Sequence, residues 1–361
     1  MPTHNNSKKI YSAYNSFASS GISDDVIIET LLEILESKKI GGDLTFTTFL
    51  SEFHINNEEL DYIAIVELIG LAHQKKKEKI EISYTDVRKH NGIYYTDYSI
   101  AKQIAKDTIS LYGNSFHPLR LTFLEPCSGT GIFALAYLDT IFEANKKYLK
   151  NAQKIIDNMF VADIDGEAIS LLKVLIPTYL RAKYGIKVTV PEKNTFVGDV
   201  LFNINKGNIR KNDLKVVFNK QEGFDIVLTN PPYKLLKANS NQYNANTDNY
   251  KEQVTEVLNF IRQNNMYKFN TGTLNLYKLF VEEIIENYTK NDGKVGLLIP
   301  STLLSDMQSF ELRNRILNNY KLSTIYTIPE KNDFFLDISQ AFCFLSLDKK
   351  GTSDEINIKT N

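Results

Sequence analysis

The sequence is poor in the residues that build metal centres: its 361 residues include 2 cysteines and 5 histidines, and these form no ligand cluster. No bound metal is therefore expected, and packing is the expected role of both Cys127 and Cys343. It also lacks any run of about 18 apolar residues and any signal peptide, so no membrane partner and a cytoplasmic location are expected. Charge of one sign is missing too. The net charge is −1 and the sequence pI about 6.6, which excludes the strong overall basicity that drives phosphate binding and leaves only local patches. No internal repeat is present. What remains, 43% hydrophobic and 24% charged residues, is ordinary for a globular protein long enough for two domains.

Against that background one tetrapeptide stands out. Asn230-Pro231-Pro232-Tyr233 follows the apolar run Phe224 to Thr229, which has the length and β-branched content of a buried parallel strand. The tetrapeptide then lies at the strand's C-terminal edge, where open α/β sheets place ligands. Asn230 precedes proline and is pushed to extended backbone, while the two prolines have fixed φ and offer carbonyls without N–H donors. The amide oxygen of Asn230 and the carbonyl of Pro231 suit the two protons of a planar NH2 group, and Tyr233 suits stacking on its π-system. Alone, the motif reads equally well as a strand-ending turn.

Three further strand tips supply context. Leu121 to Phe133, LTFLEPCSGTGIF, is a short strand, an acid and Gly129-x-Gly131 before an apolar helix, a junction where glycines let backbone approach a ligand. Ala134 replaces the third glycine of a dinucleotide fingerprint. Met159 to Ala162 forms a second strand ending in Asp163-Ile164-Asp165, matching the acid that holds a ribose diol in nucleoside-binding folds. Thr195 to Gly198 leads to Asp199, a carboxylate able to accept from an exocyclic amine.

The order Tyr94-Tyr95-Thr96, EPCSGTG, ADID, GD, NPPY and a late aromatic pair resembles the gamma-class adenine-amino DNA methyltransferases of restriction-modification systems, over roughly residues 91–348. The resemblance implies a Rossmann-like class I methyltransferase fold, an α/β sheet of seven strands with the last antiparallel, preceded by a helical domain. It also implies S-adenosyl-L-methionine as cofactor. Thr96 would contact the methionine end, Glu125 and the Gly129–Gly131 loop would line the same pocket, Asp163 would bind the ribose and Asp199 the adenine amine. Tyr95, Cys127, Ile164, Val200 and Asn230 complete the implied cofactor set. Asn230, Pro231, Pro232 and Tyr233 would hold the target base, with Phe335 or Phe334 on its other face. Asp97 departs from the pattern, since the family usually has proline after the threonine.

The implied reaction explains these residue types. An adenine amino group is a poor nucleophile because its lone pair is delocalised, so acceptors on both N–H groups favour the pyramidal nitrogen of the transition state, and stacking holds it in line. In duplex DNA the base must first be flipped out, and two aromatic faces suit a flipped base. The same ledge in related enzymes presents a glutamine amide of a translation release factor, and a non-catalytic cofactor-binding subunit of a defence complex is a third reading. Little chain follows the last catalytic strand. A separate specificity subunit, or a target-recognition domain missing from a truncated piece, is therefore expected to supply recognition of double-stranded DNA.

The rest of the chain divides near residues 80–92 into a helical domain, 1–90, and a catalytic domain, 91–361. Residues 1–20 read as polar and frayed. Ser23 caps a helix with Ile22 and Ile27 as a staple and Val26, Leu31, Ile34 and Leu35 on its apolar side. A second helix spans about Asn57 to His73, and the run Lys75 to Lys79 reads as a solvated helix end, or else as a phosphate contact. Ala238 to Gln253 reads as a polar loop. Leu276, Leu279, Phe280 and Ile284 read as core on a later helix.

Overall fold

The computed structural model describes residues 7–37, 62–82, 96–205, 208–236, 247–270, 272–334, 340–353 and 355–360. Three helices come first: α1 (Ser7–Ser19), α2 (Asp24–Ser37) and α3 (Tyr62–Ile82). Tyr98–Ser110 (α4), Phe123–Glu125 (β1), Ile132–Ala144 (α5), Met159–Asp163 (β2) and Gly166–Tyr184 (α6) follow, then Thr195–Val197 (β3) and a two-stranded ribbon, Phe202–Asn205 (β4) and Asn208–Lys211 (β5). Phe224–Thr229 (β6), Thr247–Gln263 (α7), Leu276–Glu283 (α8), Thr289–Pro300 (β7), Phe310–Asn319 (α9), Lys321–Ile328 (β8), Phe342–Asp348 (β9) and Asn357–Thr360 (β10) complete the frame.

The main sheet runs β10-β8-β9-β7-β6-β1-β2-β3. Its order is that of a class I methyltransferase sheet, with β9 antiparallel to both neighbours. The short β10 adds an eighth strand at the edge, parallel to β8. Every residue of β6 is buried, as a continuous apolar run in a doubly covered parallel sheet requires; burial of Ile226, Val227 and Leu228 stabilises by roughly 1.5–3 kcal/mol each. The helix α4 lies so close to β7 that a Cβ on Gly296 would meet Ile104 Cγ2 at 2.5 Å and Thr108 Oγ1 at 2.5 Å.

Two expectations about the N-terminal region are corrected. Its polar start is a helix from Ser7, because Ile10, Ala13, Tyr14 and Phe17 recur at helical spacing and are buried. The lysine run is paired with acids rather than free for phosphate, and of its lysines Lys79 alone is mostly exposed. It lies inside α3, where Lys76 pairs with Asp25 at 2.8 Å, Lys77 with Asp165 at 3.2 Å and Glu167 at 3.1 Å, and Lys79 with Asp24 at 2.8 Å. In α2, Ile27, Leu31, Ile34 and Leu35 are buried, whereas Val26 is exposed. The segment read as a polar loop becomes helical at Thr247, since Val254, Val257 and Ile261 are buried at a three-to-four-residue repeat. Residues 237–246, and the start of the helix expected from Asn57, lie outside the described residues.

Among the described residues no helix is long and apolar enough to cross a membrane.

Candidate active site

The C-terminal ends of β1, β2 and β6, with the turn after β3, open into one cavity of about 580 Å³, within the roughly 300–1,000 Å³ usual for ligand pockets. Thr96, Glu125, Cys127, Gly129, Asp163, Ile164, Asp199, Val200, Asn230, Pro231 and Pro232 all line it. Five segments distant in sequence are thus brought to one place.

Each acid is held by backbone amides. Both Glu125 oxygens accept from the first turns of α5, Oε1 from Phe133 N–H at 3.2 Å and Oε2 from Ala134 N–H at 2.9 Å. Burial nonetheless pushes its carboxyl well above the usual range, against the pull of those amides. Asp163 accepts from Gly129 N–H at 2.7 Å and from Asp165 N–H at 2.9 Å, stitching the glycine loop to the tip of β2, and burial raises its pKa as well. Asp199 Oδ1 accepts from Leu201 N–H at 2.8 Å and Phe202 N–H at 3.1 Å, and burial again raises its carboxyl. Ile164 lies 66% exposed at the cavity, an apolar surface of the kind a ligand ring covers. The Cys127 thiol is pushed far up by burial and so is not a ready nucleophile.

Asn230 is fixed from two sides. Its Nδ2 donates to Thr96 Oγ1 at 2.9 Å, and its Oδ1 accepts from the Tyr233 hydroxyl. Thr96 begins the segment before α4, so this threonine and the ledge asparagine form one unit.

Two site residues sit elsewhere than expected. Tyr233 does not line the cavity: its hydroxyl donates to the Leu298 carbonyl at 3.0 Å, and its ring packs on Tyr277 and Phe342 with centroids 6.2 and 5.5 Å away. Its place is behind Asn230, where a buried phenol finds both acceptors and aromatic contacts. Gly131 is likewise turned from the cavity. It caps α5 with φ +90°, and a Cβ there would meet Leu172 Cδ1 at 2.9 Å, so glycine is required by α6 packing. Phe334 is buried in the core, while Tyr95 and Phe335 lie outside the described residues.

The cavity also has walls that the motifs do not announce. His73, Gln74 and Lys77 of α3 form one; Val254 and Val257 of α7, with Leu276 and Phe280 of α8, form another. His73 Nε2 lies 3.0 Å from Asp165 Oδ2. Although burial pushes the Asp165 carboxyl up, hydrogen bonds from His73 and Lys77 outweigh it and hold the pKa well below the usual range. The i, i+4 spacing of His73 and Lys77 was visible, but their acidic partner lies about 90 positions away.

Residues 157–335, which include the second and third strand tips and the ledge, match the model of the Eco57I restriction-modification methylase family. That stretch, just under half of the chain, is similar to the methylases of restriction-modification systems. No curated protein sequence matches the chain. Solved structures share the methylase fold at low identity. A DrdV–DNA complex has a TM-score of 0.55 at 15% identity over 93% of this chain and 37% of that one. A nuclease-deletion mutant of the Type ISP enzyme LlaGI, with a DNA substrate mimic, gives 0.53 at 13% over 93% and 31%. A modification subunit of a putative type I restriction enzyme from Vibrio vulnificus YJ016 gives 0.48 at 16% over 87% and 55%. The chain therefore spans 31–55% of the length of these three proteins.

Proposed function

We propose that this chain is the catalytic part of a DNA methyltransferase that moves a methyl group from S-adenosylmethionine to the exocyclic N6 amine of a flipped-out adenine. The observation that carries the reading is the Asn230 carboxamide at the cavity wall, held between Thr96 and Tyr233 and followed by the carbonyl of Pro231.

The residues present fit the cofactor. Asp163 has acceptor capacity for ribose hydroxyls beyond its two amides, Asp199 Oδ2 suits an adenine amine, and Ile164 offers cover for the purine. When bound, S-adenosylmethionine supplies a sulfonium methyl, an electrophile that needs no metal or acid. The chain's own task is the nucleophile. Asn230 Oδ1 and the Pro231 carbonyl accept the two N–H bonds of the target amine, which favours the tetrahedral nitrogen that forms as its lone pair engages the methyl carbon. Thr96 takes a proton of Asn230 Nδ2 and Tyr233 occupies one lone pair of Oδ1, which leaves the second lone pair of Oδ1 to accept from the amine. Tyr233 supports Asn230 from behind, and a Phe335 face on the base remains part of the proposal. A specificity subunit or recognition domain on another segment supplies sequence choice.

Transfer of labelled methyl to unmethylated genomic DNA, with bulk RNA and a release factor as parallel acceptors, tests the reading. Adenine in DNA is expected to carry the label. Asn230→Ala is expected to reduce transfer by about 10²-fold or more and to leave cofactor affinity within a few-fold. Label in the release factor instead would move the assignment to glutamine, and wild-type transfer by the variant would discard the mechanism.

A further inference from the structure

The ribbon β4–β5 enters the chain just after Asp199 and contributes to the wall of the cavity that the base ledge also lines, and the catalytic reading gives it no task. Its register pairs Phe202 with Lys211, Asn203 with Arg210, Ile204 with Ile209 and Asn205 with Asn208. Alternation along each strand therefore gives the ribbon two faces. One face is anchored. Phe202 is buried edge-on against Phe260 and Tyr267, with centroids 6.3 and 6.2 Å away, Lys211 pairs with the buried Glu283 at 2.7 Å, and Ile204 lines the cavity.

The other face carries Asn203, Asn208 and Arg210, with no acidic residue among them. Asn203, Asn208 and Arg210 are exposed, and Arg210 has no ion-pair partner among the described residues. We propose that this outward face is a duplex-DNA contact, laid in the groove next to the flipped base; the proposal rests on the DNA-substrate reading above. Three physical arguments point to that occupant. A two-stranded ribbon is one of the two elements that the major groove admits, and arginine and asparagine are the side chains that bond guanine and adenine edges in pairs. The chain's net charge of −1 supplies no general attraction to phosphate, so contact must come from local patches free of acids. Finally, Ile204 and Phe202 on the inner face line the same cavity as the ledge, which places the ribbon at the rim of the proposed active site.

The experiment compares wild type with Arg210→Ala/Asn208→Ala and Arg210→Lys proteins, each saturated with S-adenosylhomocysteine. Binding to fluorescent, unmethylated genomic fragments is measured across a salt series, with cofactor affinity and methyl-transfer kcat and KM alongside. The double variant is expected to bind DNA about tenfold more weakly and to show a raised KM, while cofactor affinity, which reports an intact fold and site, stays at the wild-type value. An Arg210→Lys protein that keeps the salt slope but not the affinity places Arg210 on a base edge; one that keeps both places it on phosphate. DNA affinity unchanged in the double variant overturns the ribbon assignment alone. A wild-type protein that binds cofactor and no duplex overturns the ribbon assignment, while the DNA reading, which places sequence recognition on another segment, is judged by the methyl-transfer experiment above.

Discussion

Asp97 stands where the resembled family usually has proline, and the structure gives the substitution a function. Its Oδ1 accepts from Ser99 N–H at 2.8 Å and Ile100 N–H at 3.4 Å, capping α4, and its Oδ2 accepts from the Ser7 hydroxyl at 2.6 Å. A proline could do neither. Asp97→Ala removes the cap and the hydrogen bond from Ser7, so it is expected to cost about 1–2 kcal/mol, read as a lower urea midpoint with an unchanged slope. Because Thr96 immediately precedes the cap, cofactor affinity is expected to fall as well. The cap was within reach of sequence reasoning, as an Asp before a helix. Ser7 was not, because its only link to Asp97 is tertiary, across 90 positions. Tyr233 fails the same way: its type suits stacking, but Leu298, Tyr277 and Phe342 decide where the ring goes.

The helix α8 joins the ledge to the core. Leu236 N–H donates to the Leu274 carbonyl and Leu276 N–H to the Lys234 carbonyl, both at 2.8 Å, so the residues after the ledge pair with those that open α8. Leu279 and Ile284 are core as their spacing foretold, whereas Leu276 and Phe280 also face the cavity. Further along the helix, Glu282 accepts from Phe269 N–H at 3.2 Å and Asn270 Nδ2 at 2.5 Å, holding the preceding turn. Burial is the main cause of a pKa pushed up to about 7. The sign follows: between the unfolded value, near 4.3, and about 7, the folded state holds more protons, so this group makes stability fall as pH rises. Glu282→Gln removes that slope while keeping an acceptor. It is expected to raise Tm at pH above 7 relative to wild type and to change it much less below pH of about 4; thermal unfolding at both ends checks it, and an equal shift at both would discard the titration account.

At the scale of the whole molecule, periodicity and motif order made the sheet and its strand tips legible, because each strand is a local apolar run with a chemically marked end. The association of the two parts was not, because it depends on polar pairs between distant segments. The N-terminal helices grip the site at three points. Ser7 of α1 donates to Asp97, Glu67 of α3 accepts from Tyr98 N–H at 2.8 Å, and His73 and Lys77 of α3 meet Asp165 at 3.0 and 3.2 Å. Two of these contacts brace the segment that carries Thr96, and the third braces the end of the strand that carries Asp163. A ligand spanning Thr96 and Asp163 therefore acts on the same braces from inside the cavity. At about 100 times its dissociation constant, such a ligand adds roughly 2.7 kcal/mol to the folded state. That added stability is expected to appear as slower amide exchange within 62–82, a helix outside the recognised motifs, as well as in the glycine loop. Asp165→Ala removes the His73 contact and one of the two Lys77 pairs between α3 and α6, leaving Lys77–Glu167 at 3.1 Å, so in that protein the cofactor is expected to protect the glycine loop while protection of α3 falls. Exchange in α3 that ignores the cofactor in wild type would mean that the helix is a neighbour of the site and not one of its walls.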